Sequence, residues 1–317
     1  MNWNETEILI TGGTGSLGKA LVNLLFEKYK PKGVRIFSRD ELKQFEMRNE
    51  FNQKHPNAPI SFLIGDIRDR KRVELATKKT DLIISCAALK QVPSCEDNPL
   101  EAINTNIIGS QNILYAALEN KVQKVMAIST DKSCYPVNLY GATKLCAEKL
   151  FIQGNTYSGG REPMFSCVRY GNVLGSRGSV VPLFRKQYEE NKKVTITDPS
   201  MTRFWITLNQ VSNFILESID EMKGGEIFIP KMGSAHITTI LEAVIPEKCD
   251  IEYTGIRPGE KLHEILITKE EGYHAYEQKN KYTIIGDGML KNTFEYRSDT
   301  NKQQLDYRAI RRMLKNG

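Results

Sequence analysis

The stretch Gly12-Gly13-Thr14-Gly15-Ser16-Leu17-Gly18 limits what this chain can fold into more than any other, because of what stands on either side of it. Residues 7–11 (Glu-Ile-Leu-Ile-Thr) are a short apolar run of strand character, and residues 19–30 resume with helical periodicity. Strand, glycine turn and helix in that order open a βαβ unit. Glycines there permit the tight turn and let backbone approach a pyrophosphate closely. The anion then rests on free N–H groups at the helix N-terminus, where the dipole favours negative charge. The sequence therefore predicts a dinucleotide cradle of Gly12, Thr14, Gly15, Ser16, Leu17 and Gly18, the alternative being an ordinary strand-to-helix turn.

The alternation continues. Apolar runs at 34–38, 60–64, 81–85, 124–128 and 165–169 read as strands, separated by helical segments, among them a long one through Asn104, Asn106, Gly109 and Ser110. Such a pattern predicts the α/β class: a doubly wound parallel (Rossmann) sheet with right-handed crossovers. After Tyr170-Gly171-Asn172 the chain turns to loops marked by Gly175, Gly178 and Pro182, with a short apolar piece at 194–197. The expected division is a nucleotide-binding domain at 1–172 and a smaller C-terminal substrate-binding region at 173–317. Segment 207–230, a helix at 208–221 then a strand at 226–230, is expected to return to the sheet. No repeat, low-complexity linker or coiled coil is visible.

Residues at strand ends carry the cofactor expectations. Ser38-Arg39-Asp40, with Lys43 beyond, closes the second strand. An acidic residue there holds a ribose 2′-hydroxyl, whereas arginine accommodates a 2′-phosphate, so Arg39 and Lys43 point to NADP while Asp40 keeps NAD open. Asp66, followed by Ile67, could reach the adenine amino group. Small Ala87 and Ala88 after the fourth strand would let a cofactor lie close, and Lys90 stands where the crevice opens or is a solvated loop lysine. Asn106 is a candidate for stabilising backbone near the site.

Composition excludes several functions. The chain has 317 residues and a net charge of +6, and its basic residues are scattered apart from 68–72, which reads as a solvated helix start. No clustered basic and aromatic face supports nucleic-acid binding. The 6 cysteines form no C-x-x-C and most lie in apolar runs, so they read as reduced thiols of a reducing compartment. The 4 histidines are isolated, which argues against a metal site. No basic leader precedes an apolar stretch, and no run nears the roughly 18 residues a bilayer span needs, so a soluble, cytoplasmic protein is expected.

The densest chemistry lies in Ser129-Thr130-Asp131-Lys132 and Tyr140-Gly141-Ala142-Thr143-Lys144. Thr130, Asp131 and Lys132 follow an apolar strand. Tyr140 and Lys144 open a helix four residues apart, on one face. A phenol with an ordinary pKa of about 10 is a poor base at neutral pH, but a neighbouring ammonium favours the phenolate. That phenolate could take a hydroxyl proton while hydride leaves the same carbon. Taken alone, the Tyr140–Lys144 pair is a solvated helix face, and Asp131-Lys132 a surface turn with a weak ion pair. Arg203 and Arg257 are candidate diphosphate clamps, since planar guanidinium suits phosphate oxygens, or structural partners of Glu260.

With the glycine turn, these residues resemble the extended short-chain dehydrogenase/reductase superfamily. Ser38-Arg39-Asp40-Glu41-Leu42-Lys43-Gln44, Arg169-Tyr170-Gly171-Asn172-Val173 running to Gly178-Ser179-Val180-Val181-Pro182, Met201-Thr202-Arg203-Phe204-Trp205 and Arg257-Pro258-Gly259-Glu260-Lys261 narrow the resemblance to the short, soluble UDP-N-acetylglucosamine 4,6-dehydratases, over almost the whole chain. Tyr140, where many retaining relatives carry methionine, and the absence of a membrane segment resemble the enzymes that invert C5. The resemblance implies UDP-N-acetylglucosamine as substrate, NADP as cofactor, a homo-oligomer (dimer or hexamer), and the product UDP-2-acetamido-2,6-dideoxy-β-L-arabino-hexos-4-ulose, on the way to pseudaminic acid or related sugars. It further implies that Tyr140, aided by Lys144 and Thr130, takes the 4-hydroxyl proton. Lys132 would take the C5 proton and Asp131 protonate the departing C6 hydroxyl, which asks for a lysine pKa well below about 10.4 and a protonated carboxyl. Lys90, Thr130, Asn172, Val180, Thr195, Thr197, Met201, Arg203, Arg257 and Glu260 are the implied substrate contacts. Gln91 and the bulky Ser133-Cys134-Tyr135 depart from the family pattern. Rival readings are a nucleotide-sugar 4-epimerase, a retaining 4,6-dehydratase and a silent NADP-sensing protein.

Overall fold

A computed structural model describes residues 1–176, 178–245, 247–286 and 288–316, with only the backbone of Asn316. In chain order, β1 (Glu7–Thr11), α1 (Ser16–Leu24), β2 (Gly33–Ser38), α2 (Glu41–Lys54), β3 (Ile60–Ile64), α3 (Arg70–Ala76) and β4 (Leu82–Ser85) come first. Next are α4 (Val92–Asp97), α5 (Pro99–Ile103), α6 (Gly109–Glu119), β5 (Lys124–Thr130), α7 (Leu139–Tyr157) and β6 (Met164–Tyr170). Then follow β7 (Asn172–Val173), α8 (Val180–Asn191), β8 (Lys193–Ile196), β9 (Thr202–Ile206), α9 (Leu208–Glu221), β10 (Ile227–Pro230), β11 (Gly233–His236) and α10 (Ile237–Val244). The chain closes with β12 (Asp250–Tyr253), β13 (Ile265–Ile267), β14 (Ala275–Glu277), β15 (Lys281–Ile284), β16 (Tyr296–Arg297) and α11 (Tyr307–Asn316).

Two compact units result. The first comprises Met1–Ser129, Leu139–Val168 and Ser212–Phe228. It is built on parallel strands in the order β10-β6-β5-β4-β1-β2-β3. Central β1 and β4 are apolar on both faces, as helices covering both sides require, and Ile8, Ile10, Leu82, Ile83 and Ile84 are fully buried. Each such side chain contributes about 1.5–3 kcal/mol. The strand order reverses between β1 and β4, and ligands of open α/β sheets bind in the crevice at such a switch point.

The second unit comprises Thr130–Asn138, Arg169–Val211 and the chain from Ile229 onward. Its core gathers Leu174, Phe184, Trp205, Ile240, Leu241 and Ile310. Around this core lie the sheet β11-β9-β7 and the pairs β12–β8 and β13–β16. The division differs from expectation in one consequential place. Residues 130–138, expected within the nucleotide-binding domain, group with the second unit, because the turn after β5 is tied by Lys132 to Glu264 and by Asn138 to Gly259. The segment returning to the first unit is Ser212–Phe228. Among the described residues no helix is long and apolar enough to cross a membrane.

Candidate active site

The glycine turn joins β1 to α1 at the switch point. Gly12 has φ +65°, and a Cβ on it would stand 2.8 Å from the Ala87 Cα, so only glycine lets the two strand ends approach this closely. A Cβ on Gly18 would stand 2.4 Å from the Gly13 carbonyl oxygen, closing the gap through which helix meets turn. Gly15 is the N-cap of α1 and supplies no side-chain cap, which leaves first-turn N–H groups for an anion. Thr14 is buried, whereas Ser16 and Leu17 are half-buried on the first turn. The cradle fits the pyrophosphate of a dinucleotide.

The strand-end residues are arranged by charge. Asp40 caps α2, accepting from the Lys43 N–H at 3.0 Å, and pairs with Lys43 Nζ at 2.6 Å. Its carboxylate is thus already committed. Arg39 remains half exposed, 3.5 Å from Asp66, and the Ser38 hydroxyl accepts from Gln44 at 3.0 Å. Burial pushes the Asp66 carboxyl up, but Arg68, donating from Nε at 2.9 Å and Nη2 at 2.7 Å, outweighs it and leaves the group below its ordinary value. Ile67 is buried beside it. Ala87 donates its N–H to Thr11 Oγ1 at 3.3 Å, Ala88 is half-buried and Lys90 is exposed. Asn106 braces this loop from within α5–α6: it accepts from the Leu89 N–H at 2.8 Å and donates to the Leu89 carbonyl and Thr143 Oγ1, each at 2.9 Å.

Tyr140 and Lys144 lie in the first turns of α7, whose extent to Tyr157 exceeds the apolar periodicity that suggested it. Lys144 donates from Nζ to the Ile128 carbonyl at 2.5 Å, and burial lowers its pKa. Nearby Cys86 is pushed up to about 12 by burial, so it remains a thiol. Tyr140 is half-buried, and its carbonyl accepts from Thr143 Oγ1 at 2.8 Å.

In the second unit, Asp131–Ser133 forms one helical turn directly after β5, fastened by Ser133 Oγ donating to the Thr130 carbonyl at 2.6 Å. Asp131 is fully buried. Its Oδ1 accepts from Thr130 Oγ1 at 2.9 Å and Lys132 Nζ at 3.0 Å, while Oδ2 has no hydrogen-bond partner among the described residues. Lys132 Nζ also lies 3.3 Å from Glu264 Oε1. Burial pushes the Asp131 carboxyl up against the pull of Lys132, as a protonated acid requires. The expected depression of Lys132 is not found. Burial disfavours its ammonium, but the Asp131 and Glu264 carboxylates outweigh burial and hold it above the ordinary lysine value.

The implied substrate residues separate into groups. Arg203, expected as a phosphate clamp, is buried and braces the second unit internally, with Nη1 donating to the carbonyls of Thr202 at 2.8 Å and Leu262 at 3.1 Å and Nη2 to that of Lys261 at 2.9 Å. Its partner carboxylate is Glu264, 3.7 Å away, and not Glu260. Met201 is likewise a core residue, 4 % exposed in the apolar cluster of the second unit. Thr195 Oγ1 accepts from Gln187 at 2.8 Å, which holds β8 against α8; Thr197 is half-buried beyond it. Val180 packs on the core at the start of α8. Arg257 is exposed and pairs with Glu260 at 2.5 Å, still open to an anion. Asn172 keeps a buried Oδ1 without a partner among the described residues.

Sequence reasoning missed Glu264 and Lys261. Both stand in the run Arg257-Pro258-Gly259-Glu260-Lys261-Leu262-His263-Glu264, in which only Arg257 and Glu260 carry a sequence expectation. It also missed Arg169, fully buried and donating to both oxygens of Glu271 at 2.8 Å and to the Leu266 carbonyl at 2.9 Å.

Comparison with known proteins bears on this constellation. Residues 8–286 match the family described as polysaccharide biosynthesis protein. The chain is 50 % identical over 94 % of both lengths to a UDP-N-acetylglucosamine 4,6-dehydratase (inverting) of Campylobacter jejuni. It is 41 % identical, covering 92 % of this chain and 86 % of the relative, to a UDP-glucose 4-epimerase of Rickettsia canadensis. The solved structure of Pen from Bacillus thuringiensis superposes with a TM-score of 0.93 at 41 % identity, covering 100 % of this chain and 99 % of that one.

Proposed function

The chain belongs to the polysaccharide biosynthesis protein family and, within it, to the inverting UDP-N-acetylglucosamine 4,6-dehydratases, and from that premise we propose how its residues carry the reaction. It converts UDP-N-acetylglucosamine to UDP-2-acetamido-2,6-dideoxy-β-L-arabino-hexos-4-ulose, removing the 6-hydroxyl and inverting C5. The observation that carries the assignment of roles is the buried Asp131–Lys132 pair directly after Thr130 at the end of β5. A 4-epimerase needs no acid and base at that position.

A bound nicotinamide dinucleotide would supply the hydride acceptor for C4 and the donor for C6. Gly12, Gly15 and Gly18 would hold its pyrophosphate. NADP is the preferred form: Asp40 spends its carboxylate on the α2 cap and Lys43, while half-exposed Arg39 is available to a 2′-phosphate. Tyr140 removes the 4-hydroxyl proton, and Lys144, one turn along α7, favours the phenolate whenever it carries its charge, which burial works against.

Dehydration falls to the Asp131–Lys132 pair. Passing one proton from Lys132 Nζ to Asp131, across 3.0 Å, breaks an N–H bond, forms an O–H bond and leaves a free amine beside a carboxylic acid. Both groups are then in the states the elimination needs. The amine takes the C5 proton, acidified by the C4 ketone. The acid gives its proton to the departing C6 hydroxyl, and water leaves. Asp131 Oδ1, which Lys132 Nζ meets at 3.0 Å, receives that proton, and neutralising the acid lowers the cost of burying its Oδ2, which has no partner among the described residues. C5 is then reprotonated on the opposite face.

Proton NMR of the protein with UDP-N-acetylglucosamine and NADP in deuterated water tests the reading. A C6 methyl with deuterium at C5 and L-arabino couplings is expected. D-xylo couplings would mean retention, and an N-acetylgalactosamine signal would mean epimerisation.

A further inference from the structure

Lys132 is held by more than its sequence neighbour. Its Nζ stands between Asp131 Oδ1 at 3.0 Å and Glu264 Oε1 at 3.3 Å, so two carboxylates fork the end of a side chain that otherwise has four rotatable bonds. Glu264 is itself fixed. Its N–H donates to Ser298 Oγ and its carbonyl accepts from the Ser298 N–H, each at 2.9 Å, and its side chain is 3 % exposed. Arg203 Nε lies 3.7 Å from Oε1 and Lys261 Nζ 3.8 Å from Oε2. Lys261 and Arg203 are in turn spent on carbonyls, that of Cys134 for the first and those of Thr202, Lys261 and Leu262 for the second. A buried carboxylate among three cations is a costly arrangement unless geometry demands it.

We propose that Glu264 is a positioning residue for the dehydration step: its buried carboxylate, flanked by Arg203 and Lys261 with Oε2 free of hydrogen bonds among the described residues, fixes the end of Lys132 and sets the pH window in which the Asp131–Lys132 pair holds its single working proton. The inference rests on the reading of that pair as acid and base. A shared-proton pair works only when it carries one proton, so activity falls on the acid side where a second binds and on the basic side where the last is lost. The charged groups facing it are Glu264 and Arg203, with Lys261 behind Glu264. A negative charge within about 4–6 Å raises both steps by about 1–3 units. Removing it lowers both.

The test is the pH profile of deuterium uptake at C5, with UDP-N-acetylglucosamine and NADP, for the wild type, Glu264→Gln and Glu264→Asp. Both limbs should move to lower pH by about one unit or more in Glu264→Gln. In Glu264→Asp, which keeps the charge but shortens its reach, the limbs should stay within about half a unit of wild type while kcat falls more than KM changes. An unshifted profile in a folded Glu264→Gln protein would leave Glu264 a structural residue and overturn the proposal. Should that variant not fold, Lys261→Met replaces it: removing a cation must move the profile the other way, and an unchanged profile there is equally fatal. A wild type that takes up no deuterium at any pH would instead sink the dehydratase reading, so the two failures are distinct.

Discussion

Replacing Lys132 by methionine keeps most of the side-chain volume and removes the cation between two buried carboxyls, Asp131 at 0 % and Glu264 at 2 % exposure. Breaking a buried pair by deleting one partner costs about 3–5 kcal/mol. Lys132 is itself 25 % exposed and Glu264 keeps Arg203 and Lys261, so a loss below that range, about 2–3 kcal/mol near pH 7, is expected. The pH dependence has a definite sign. Asp131 has a raised folded-state pKa, so the folded protein binds the extra proton and stability falls as pH rises above about 3.9. Without Lys132 that rise grows. Glu264 has a lowered pKa, so its contribution is present above about 4.3 and is lost as pH falls; without Lys132 it shrinks. The Asp131 change grows only as pH rises above about 3.9, whereas the Glu264 change is already nearly complete at about pH 4.5, so the deficit of the variant should be full near pH 7 and smaller near pH 4.5 by the Asp131 share. Urea unfolding of wild type and variant at the two pH values reads this directly, and the variant should bind NADP while taking up no deuterium at C5. A deficit of equal size at both pH values, or none, would refute the charge argument.

Gly18→Ala places a methyl 2.4 Å from the Gly13 carbonyl oxygen, so α1 must shift; an overpacking loss of about 1–3 kcal/mol and at least about tenfold weaker dinucleotide binding are expected by calorimetric titration. Unaltered affinity would disconnect the turn from the cradle. Arg39→Ala should weaken NADP by about tenfold, the worth of one charge-assisted hydrogen bond, and leave NAD nearly unchanged. Equal losses for both nucleotides would remove Arg39 from 2′-phosphate recognition.

What could be read from the sequence follows the distance over which each cause acts. The glycine turn was legible because strand, turn and helix are contiguous, and the requirement at Gly12, a positive φ beside Ala87, is met by one residue type. The parallel strands were legible as unbroken apolar runs, and α9 at Leu208–Glu221 matches its predicted span. The surroundings of Arg203 and Met201 were not legible, because a motif records which residues stand together and not which way they face: three backbone carbonyls hold the first and an apolar core the second. The grouping of 130–138 with the second unit was hidden for a related reason. It depends on Glu264 and Gly259, far along the chain, and no local period reports them.

The same long-range cause alters the chemistry. From Asp131-Lys132 alone, a base must be made by depressing a lysine, and burial would do that. Burial does oppose the ammonium, but the Asp131 carboxylate, joined in the structure by that of Glu264, outweighs it and reverses the direction, so a free amine cannot come from solvent titration near neutral pH. It can come from the neighbour. Moving one proton 3.0 Å to Asp131 changes no net charge in the buried cluster, and a drier environment favours the neutral amine and acid over the ion pair. Substrate closing over the pair would thus arm base and acid in one transfer, and a raised lysine is compatible with a lysine base provided that its acid is adjacent and buried.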